Sequence, residues 1–470
     1  MEEKSSKLNL GYLMFLTFSA AMGGLLFGYD LLVISGAMQF YELYFGLGDS
    51  GLLQGWAVSS CVVGCMIGAF GLGVCKAADK YGRVRLLILS ALFFLVSAIG
   101  SGLAPTFTQF VLYRILGGIG MGMASTISPM YIAEIAPAKL RGRFVAVNQL
   151  TIVIGILLAQ FVNYLIANSH PVADGLASEA LLQTWNGQTG WKLMFIAEAV
   201  PAFIFIVCMF FVPYSPRWLV KKSRDEEARK ILERIGGDAH AKETLLDIEG
   251  TLDEEHKQAG FSELLKPQIL RIVIMGVIIA VFQQWCGINV IFTYASDIFR
   301  DAGYEVSGVM FNLVIIGLTN LTFTFVGMAA VDRLGRKLLM IIGSAGLLVT
   351  YVLLGFCFFA EIQGWYVFVL ALTAIAFFAA TLGPVAWILI SEIFPNSVRG
   401  IAVSIAVLSL WAANFVLNQT FPMLKAALGP SYTFWIYAVI CFLGILYIKK
   451  YIPETKGKSL EQIEKELSRT

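Results

Sequence analysis

Three ionisable residues, Asp30, Arg114 and Glu198, lie inside long apolar runs of the chain. Charges within a membrane are rare, usually paired, and functional by default. At about 1.5 Å per residue, all three lie roughly 10 Å below one membrane surface, so they can meet. We interpret Asp30 as a group that binds and releases a proton and Arg114 as its switchable partner, because a nearby guanidinium favours the ionised carboxylate and desolvation favours the protonated one. Glu198 takes part in coupling or merely orients Arg114; the alternative for the pair is a static salt bridge between helices.

Uncharged polar side chains inside the apolar runs form a second group. Amides both donate and accept hydrogen bonds, and aromatic rings can cover the C–H surface of a sugar, so this combination suits a neutral polyhydroxyl ligand. The alternative for any single amide is a hydrogen bond that holds two helices together. The residues are Gln149, Gln283, Gln284, Asn289, Asn320 and Asn414, with Trp387 and Trp411 in the same runs.

Two charged motifs each occur twice, about half a chain length apart. An Asp-x-x-Gly-Arg motif ends at Arg83 and at Arg336, and a Glu-x-x-Pro-x-x-x-Arg-Gly motif begins at Glu134 and at Glu392. In a membrane chain, this repeat indicates two homologous bundles with a substrate site between them. Charged hydrogen bonds brace neighbouring helices, so we predict a cytoplasmic gate of ion pairs that opens during transport. Its predicted residues are Asp79, Arg83, Glu134, Arg141, Arg217, Asp332, Arg336, Glu392, Arg399 and Glu454.

The composition indicates that lipid surrounds most of the chain. Hydrophobic residues make up 58% and charged residues 14% of the 470 residues, whereas a soluble domain has about 25% charged residues. About twelve runs reach the roughly 20 residues that a spanning helix needs. They lack the period-two alternation of barrel strands, so we predict an all-α membrane protein. The predicted spans are 11–38, 52–76, 84–104, 108–134, 143–167, 191–212, 269–299, 306–331, 337–360, 365–391, 400–424 and 431–451.

The distribution of Lys and Arg predicts the orientation in the membrane. The loops after spans 2, 4, 8 and 10 are basic, among them Lys76, Lys139 and Arg333, whereas the loops 39–51, 105–109 and 168–190 have none. Basic loops stay in the cytoplasm, so both termini are predicted to be cytoplasmic. We divide the chain into a six-helix bundle (1–212), an intracellular helical linker (213–268), a second six-helix bundle (269–452) and a cytoplasmic tail (453–470) with a short surface helix at Leu460, Ile463 and Leu467. No function is assigned to the polar loop 168–190.

Several function classes are excluded by what the chain carries. The formal net charge of +2 is too small to indicate a nucleic-acid partner. The seven Cys have no metal-like spacing, and the three His lie outside the predicted spans. No nucleotide-binding loop, metal cluster or nucleophile–base set is visible, so we expect neither a cofactor nor enzymatic activity. The N-terminus has no cleavable signal pattern. We expect the protein to be a monomer. Its expected location is the cell membrane, which is the inner membrane if the source is a bacterium.

The chain resembles the sugar porter family of the major facilitator superfamily over nearly its whole length. This family contains proton symporters, among them a bacterial xylose–proton symporter, and facilitators, among them mammalian glucose facilitators. The motifs that carry the resemblance are Gly28-Tyr29-Asp30, Asp79-x-x-Gly82-Arg83, Arg114 in Tyr-Arg-Ile-Leu-Gly-Gly, Pro129-Met-Tyr-Ile-Ala-Glu134, Pro213-x-Ser-Pro-Arg217-Trp-Leu, Gln283-Gln284-x-x-Gly287-Ile-Asn289, Gly383-Pro-x-x-Trp387 and Pro453-Glu-Thr-Lys-Gly457.

The resemblance implies twelve helices in two bundles that give a central monosaccharide access to each side in turn. A carboxylate at the Asp30 position marks the family's symporters, so the expected function is proton-coupled import of a pentose or hexose. The alternatives are a uniporter, a sodium-coupled symporter or a sugar sensor. The implied sugar site consists of Gln149, Gln283, Gln284, Asn289, Asn320 and Trp387, with Phe27 and Trp411 nearby.

Four positions depart from the family pattern. Ile156 and Leu410 make the pocket less polar than that of a symporter, and Thr293 stands where an outer-gate Tyr is usual. These three positions leave the identity of the sugar open. Tyr214 replaces a Glu of the inner ion-pair network. The loss of a buried charged hydrogen bond is worth on the order of 1–3 kcal/mol, so we predict easier inward opening.

Overall fold

The computed structural model describes residues 8–48, 50–73, 77–138, 140–173, 176–255, 261–395, 398–456, 458 and 462, and within these residues the chain is helical without a strand. Among these described residues, eleven helical segments are long and apolar enough to cross a membrane. The last of them, Arg399–Tyr451, has 53 residues and is interrupted at Gly429, whose φ of 81° is left-handed. It therefore supplies two spans. The predicted all-α fold with twelve spanning helices is confirmed.

The first half of the molecule carries six spans. Its helices are α1 (Leu10–Tyr44), α2 (Gly51–Met66), α3 (Ala77–Tyr81), α4 (Arg83–Leu103), α5 (Phe107–Ile135), α6 (Arg141–Ser169), α7 (Ser178–Gln183), α8 (Trp191–Ile196) and α9 (Ala199–Phe210). Two π-helical segments, Ile67–Gly73 and Asn186–Gly190, extend α2 and precede α8.

The second half carries the other six spans. Its helices are α12 (Pro267–Trp285), α13 (Ile288–Thr293), α14 (Ala295–Asp301), α15 (Val306–Leu334), α16 (Arg336–Phe359), α17 (Trp365–Ala380), α18 (Leu382–Glu392) and α19 (Arg399–Tyr451). Between the halves lie α10 (Pro216–Lys221) and α11 (Asp225–Glu255), followed by the 3-10 turn Phe261–Leu265.

Several predicted spans are interrupted. The predicted span 191–212 breaks at residues 197–198, the span 269–299 breaks at Gly287 and Tyr294, and the span 365–391 breaks at Thr381. At Gly287 the φ is 86°, a conformation that glycine adopts without a steric penalty. Irregular backbone at membrane depth is tolerated where protein covers it or where it lines a cavity.

One predicted span boundary is wrong, and one predicted loop is partly helical. The first span does not end at residue 38 but continues to Tyr44, because Gln39, Phe40 and Tyr41 remain buried against neighbouring helices. The predicted loop 168–190 contains α7 and the π-helical segment Asn186–Gly190. Its Asn186 side chain donates to the carbonyl oxygens of Ala167 (2.9 Å) and His170 (2.8 Å) and ties α8 to the end of α6.

The linker helices pack beneath the first half. Leu232 and Ile235 of α11 are buried as their helical spacing predicts, whereas Leu246 is 69% exposed. The backbone N–H of Asn9 donates to the carbonyl of Ile235 at 2.8 Å, and this bond joins α11 to the start of α1. The positions Leu460, Ile463 and Leu467 of the predicted tail helix lie outside the described residues.

Candidate functional site

The first half holds a buried ion pair between α1 and α5. A guanidinium nitrogen (Nη1) of Arg114 pairs with Oδ1 of Asp30, and Nη2 donates to the Asp30 carbonyl at 3.3 Å. Both side chains are at most 2% exposed. The Phe195 ring faces the guanidinium at 5.6 Å and adds a cation–π contact. The two charges that the sequence placed at equal depth are thus in direct contact.

Glu198 lies at the break between α8 and α9, within electrostatic range of Asp30 and Arg114. It is 1% exposed. Neither its Oε1 nor the Nε of Arg114 has a hydrogen-bond partner. A buried polar atom without a hydrogen-bond partner is costly. Glu198 Oε1 and Arg114 Nε can therefore form hydrogen bonds when the ion pair rearranges. If Asp30 becomes neutral, Arg114 has a second carboxylate within range.

The second half carries a network of amides around the break after α12. Gln284 Oε1 accepts hydrogen bonds from Asn289 Nδ2 and, at 2.7 Å, from Asn414 Nδ2. Gln284 Nε2 donates to Gln283 Oε1 at 2.6 Å. Asn418 Nδ2 extends the network to Asn414 Oδ1 at 2.9 Å. Three of the predicted sugar ligands are therefore connected, and the helix break at Gly287 places Asn289 against Gln284.

The remaining predicted sugar ligands differ in exposure and do not share one set of contacts. Phe27 of the first half and Trp411 of the second half meet edge to face at 5.9 Å. Asn320 is buried, whereas Gln149 is exposed and Trp387 is 42% exposed. Among the described residues, these last three form no side-chain hydrogen bond with the amide network. The structure thus joins Gln283, Gln284 and Asn289 and leaves Gln149, Asn320 and Trp387 unconnected to them.

A cavity of about 90 Å³ lies between the halves, next to Trp411. It is lined by Phe70 and Thr126 of the first half and by Val403 and Val407 of α19. Val403 lies four residues after α19 begins, so the cavity runs from the aromatic pair toward the start of that helix. We call the side of the molecule that carries Arg83 and Arg336 the basic end.

At the basic end of the first half, Arg83 links two carboxylates. It contacts Glu134 at 2.8 Å and Asp79 at 3.2 Å. Lys221 of α10 contacts Asp79 at 2.7 Å, and the Ser215 hydroxyl donates to Glu134. Burial acts to raise the pKa of Asp79, but the hydrogen bonds and charges of Lys221 and Arg83 outweigh it and lower the pKa.

The basic end of the second half repeats this arrangement. Arg336 contacts Glu392 at 3.0 Å, and the Thr455 hydroxyl donates to Glu392 Oε2 at 2.6 Å. Glu454 accepts from the backbone N–H groups of Arg336 (2.9 Å) and Lys337 (3.1 Å). Burial acts to raise the pKa of Glu454, but these backbone donors, with that of Lys456, lower it.

Three other predicted gate residues have the following surroundings. Arg399 donates to the carbonyl of Phe394 at 3.0 Å, Arg217 lies within electrostatic range of Glu134, and Arg141 is exposed. The side chain of Asp332 and the residues Lys76 and Lys139 lie outside the described part of the chain.

At the end opposite the basic end, the two halves are in contact. Ser296 donates to the Ser35 carbonyl, Ser59 donates to Gln419 Oε1 at 2.6 Å, and Gln419 donates to the Leu52 carbonyl at 3.0 Å. By contrast, the ion pairs Arg83–Glu134 and Arg336–Glu392 each lie within one half. Among the described residues, side-chain hydrogen bonds therefore join the two halves at the opposite end.

Sequence reasoning missed three kinds of residue at these sites. Cys61 contacts Asp30, the hydroxyls of Ser215 and Thr455 bind the gate carboxylates, and Lys425 pairs with Asp297 at 2.9 Å and Asp301 at 2.6 Å. Lys425 had a signal as a charge near the end of an apolar run, and Ser215 and Thr455 had one as members of the Pro213-x-Ser-Pro-Arg217 and Pro453-Glu-Thr-Lys-Gly457 motifs. Cys61 had none, because a cysteine in an apolar run resembles any small core residue.

Comparison with known proteins agrees with this architecture. The family "Sugar (and other) transporter" matches residues 16–467. The chain is 38% identical to the D-xylose-proton symporter of Escherichia coli (98% of this chain and 96% of the relative). It is also 38% identical to the arabinose-proton symporter of Bacillus subtilis (97% and 95%). The inward open structure of the xylose transporter from E. coli matches with a TM-score of 0.83 at 37% identity (97% and 99%).

Proposed function

Because the chain belongs to the sugar porter family of the major facilitator superfamily, we propose that it is a proton-coupled monosaccharide symporter. It is a multi-pass membrane protein and a transporter rather than an enzyme. Two relatives at the same identity are named for proton symport of different pentoses, xylose and arabinose. The proposed substrate class is therefore a pentose or a hexose.

The single observation that carries proton coupling is the buried pair of Asp30 and Arg114. When a proton neutralises Asp30, the attraction that holds Arg114 is lost, and the guanidinium turns toward Glu198. That change removes a fixed link between α1 and α5 and lowers the barrier for the two halves to reorient. Coupling is reciprocal, so sugar and proton must favour the same reoriented state.

The proposed sugar site lies between the halves, on the Gln283–Gln284–Asn289 network and the Phe27–Trp411 pair. The amides offer both donors and acceptors to hydroxyl groups, and the rings face the C–H surface. We extend the site by resemblance to Gln149, Asn320 and Trp387. Ile156 and Leu410, the two positions that make the pocket less polar than that of a symporter, are both buried, and the identity of the sugar stays open.

We assign the basic end to the cytoplasm, which makes both termini cytoplasmic. In this orientation the contact between Ser296 and Ser35 lies on the outer side, and we infer that the cavity beside Trp411 opens toward the cytoplasm. The conformation is then inward-facing, in line with the solved relative that it matches. The gate pairs Arg83–Glu134 and Arg336–Glu392 brace each half here, and we infer that the halves meet across them in the outward-facing state. We further propose a monomer in the bacterial inner membrane.

Transport into proteoliposomes tests this function. Radiolabelled xylose, arabinose, glucose and galactose are offered with and without an inward proton gradient. We expect accumulation above equilibrium that a protonophore abolishes, and no effect when a sodium gradient replaces the proton gradient. Equal equilibration with and without the gradient would identify a uniporter, and sodium-driven accumulation would identify a sodium symporter.

The variant Asp30→Asn separates coupling from sugar recognition. We expect it to lose gradient-driven accumulation and to retain sugar exchange across the membrane, because the neutral amide imitates the protonated carboxyl. Glu249→Gln, which removes an exposed carboxylate from α11, is the matched control and should behave as the parent protein. If Asp30→Asn still accumulates sugar, Asp30 is structural and the coupling proposal fails.

A further inference from the structure

A thiol contacts the proposed proton site from a third helix. Cys61 of α2 is buried, and its Sγ lies 3.8 Å from Oδ2 of Asp30, within the range of a sulfur hydrogen bond. Arg114 pairs with the other oxygen, Oδ1. The two carboxylate oxygens of Asp30 are therefore divided between a guanidinium on α5 and a thiol on α2.

Close packing of α2 on α5 positions this thiol. A Cβ added at Gly118 of α5 would lie 1.9 Å from the carbonyl oxygen of Cys61, and one added at Gly64 of α2 would lie 2.1 Å from the carbonyl oxygen of Ile115. Glycine at both positions is required for this approach, because any larger residue would force the helices apart. The contact between Cys61 and Asp30 thus depends on a glycine-lined interface.

Three other titratable groups lie near Asp30. Arg114 faces it from α5, and Glu198 lies within range from the turn between α8 and α9. The Cys65 thiol of α2 also lies within electrostatic range, but it donates to Met121 Sδ at 3.2 Å. A Cβ at Gly117 would lie 3.0 Å from Asp30 Oδ2 and 2.3 Å from the Ser97 hydroxyl of α4. Apart from Arg114, Cys61 is the side chain that forms a hydrogen bond with the Asp30 carboxylate among the described residues.

We propose that Cys61 is a positioning residue of the proton site, whose thiol donates to Oδ2 of ionised Asp30 and so sets the pH at which the site takes up a proton. This inference rests on the proposed proton coupling. A donor to the charged form of an acid favours that form. When Asp30 gains a proton from the aqueous side, the thiol keeps its own proton and loses a charged acceptor. No covalent bond changes at sulfur.

Two substitutions of Cys61 should move the pH dependence in opposite directions. Cys61→Ala removes the donor, so Asp30 is protonated more easily. The pH of half-maximal sugar uptake should therefore rise, when uptake is measured with equal pH on both sides of the membrane. Because a thiol is a weak donor, we expect a shift of about 0.5 pH unit, a roughly threefold change in proton affinity. Cys61→Ser supplies a stronger donor of similar size and should lower the midpoint.

The control is Cys357→Ala, which removes a buried thiol from α16 in the other half and should leave the midpoint unchanged. The uptake of each variant is normalised to its own maximal rate, so that a loss of folded protein does not change the pH midpoint. If Cys61→Ala and Cys61→Ser move the midpoint in the same direction, or neither moves it, the proposal is overturned.

Infrared spectroscopy of the S–H stretch tests the hydrogen bond without transport. We expect the difference between the parent protein and Cys61→Ala to contain a thiol band that shifts as Asp30 is titrated, and the shift to disappear in Asp30→Asn. A pH-independent band would refute the contact. If the parent protein proves to be a uniporter, the proposed function fails, while the infrared experiment still decides whether the thiol senses the carboxylate.

Discussion

At the basic end, the two halves bind equivalent carboxylates in the same way, but the N-termini of α4 in the first half and α16 in the second are stabilised differently. Glu134 accepts from Arg83 and Ser215, and Glu392 accepts from Arg336 and Thr455. Ser215 and Thr455 occupy matching positions, each two residues after a proline that follows the last span of its half. The duplicated motifs therefore include a hydroxyl on a segment far along the chain from each carboxylate.

The difference lies one residue earlier, where Glu454 of the second half corresponds to Tyr214 of the first. The Glu454 carboxylate accepts from two backbone N–H groups at the start of α16. The Tyr214 hydroxyl instead accepts from Arg85 Nε at 3.1 Å, and its ring stacks on Trp218 at 5.0 Å.

Both α4 and α16 start after a glycine with positive φ, Gly82 and Gly335. A carboxylate at a helix N-terminus satisfies free N–H groups and interacts favourably with the helix dipole. The second half thus fixes its gate helix through the backbone. The first half relies on side chains, and Lys221 and Trp218 of α10 join it to the linker. We infer that the gate of the first half yields more readily.

The strongest test removes the central carboxylate from each half in turn. Glu134→Gln should lower the thermal unfolding midpoint in detergent more than Glu392→Gln, because the Glu134 side chain is 9% exposed and that of Glu392 is 23% exposed. Loss of a hydrogen bond to a charged group costs about 1.5–3 kcal/mol, with the buried site toward the upper value. The reverse order would mean that burial does not distinguish the halves.

A smaller effect is expected from Glu454→Gln, which weakens the cap of α16. The free energy of unfolding should fall by about 1 kcal/mol at pH 7. Because the folded pKa of Glu454 is lowered, its contribution is present above its unfolded pKa of about 4.3 and disappears as the pH falls through the lower folded value. Midpoints of thermal unfolding, measured for both proteins from neutral to acid pH, should therefore converge in acid. A gap that persists there would show that the carboxylate charge is not the cause.

The smallest effect is expected from Tyr214→Glu, which gives the first half the residue of the second. A carboxylate here lies near Arg85 and Arg224, whose guanidinium groups face the Tyr214 ring at 5.8 and 5.9 Å. We expect a gain of about 0.5–1 kcal/mol in unfolding free energy. Tyr214→Phe is the control and should show no gain.

Accessibility labelling of a cysteine introduced at Thr126 should report slower opening in the Tyr214→Glu variant than in the parent protein. Faster labelling would contradict the comparison of the two halves.

Much of the fold follows from the sequence alone. The number of spans, the all-helical class and the duplicated motifs depend on composition and repetition, which lipid makes unusually informative. The contact of Asp30 with Arg114 could also be predicted from the sequence, because two opposite charges within the membrane have few other partners.

The rest depends partly on prolines and partly on contacts that the sequence does not display. The breaks at residues 197–198 and at Thr381 come three residues before Pro201 and Pro384, because a proline cannot donate the helical hydrogen bond to the residue four positions earlier. The contact of Cys61 with Asp30 requires the helix approach at Gly118. Tyr214 was expected to weaken the first half only by absence of a charge, whereas its hydroxyl accepts a hydrogen bond from Arg85.

The break at Gly429 also has a consequence for how the protein is made. A single left-handed residue joins the last two spans, Pro430 begins the second, and the Thr433 hydroxyl donates to the Gly429 carbonyl at 2.8 Å. With so short a connection, the nascent chain presents these spans as one helical hairpin, and few polar backbone groups need to cross the bilayer. We therefore expect these two spans to enter the membrane together, which brings Trp411 and Asn414 into the second half in one step.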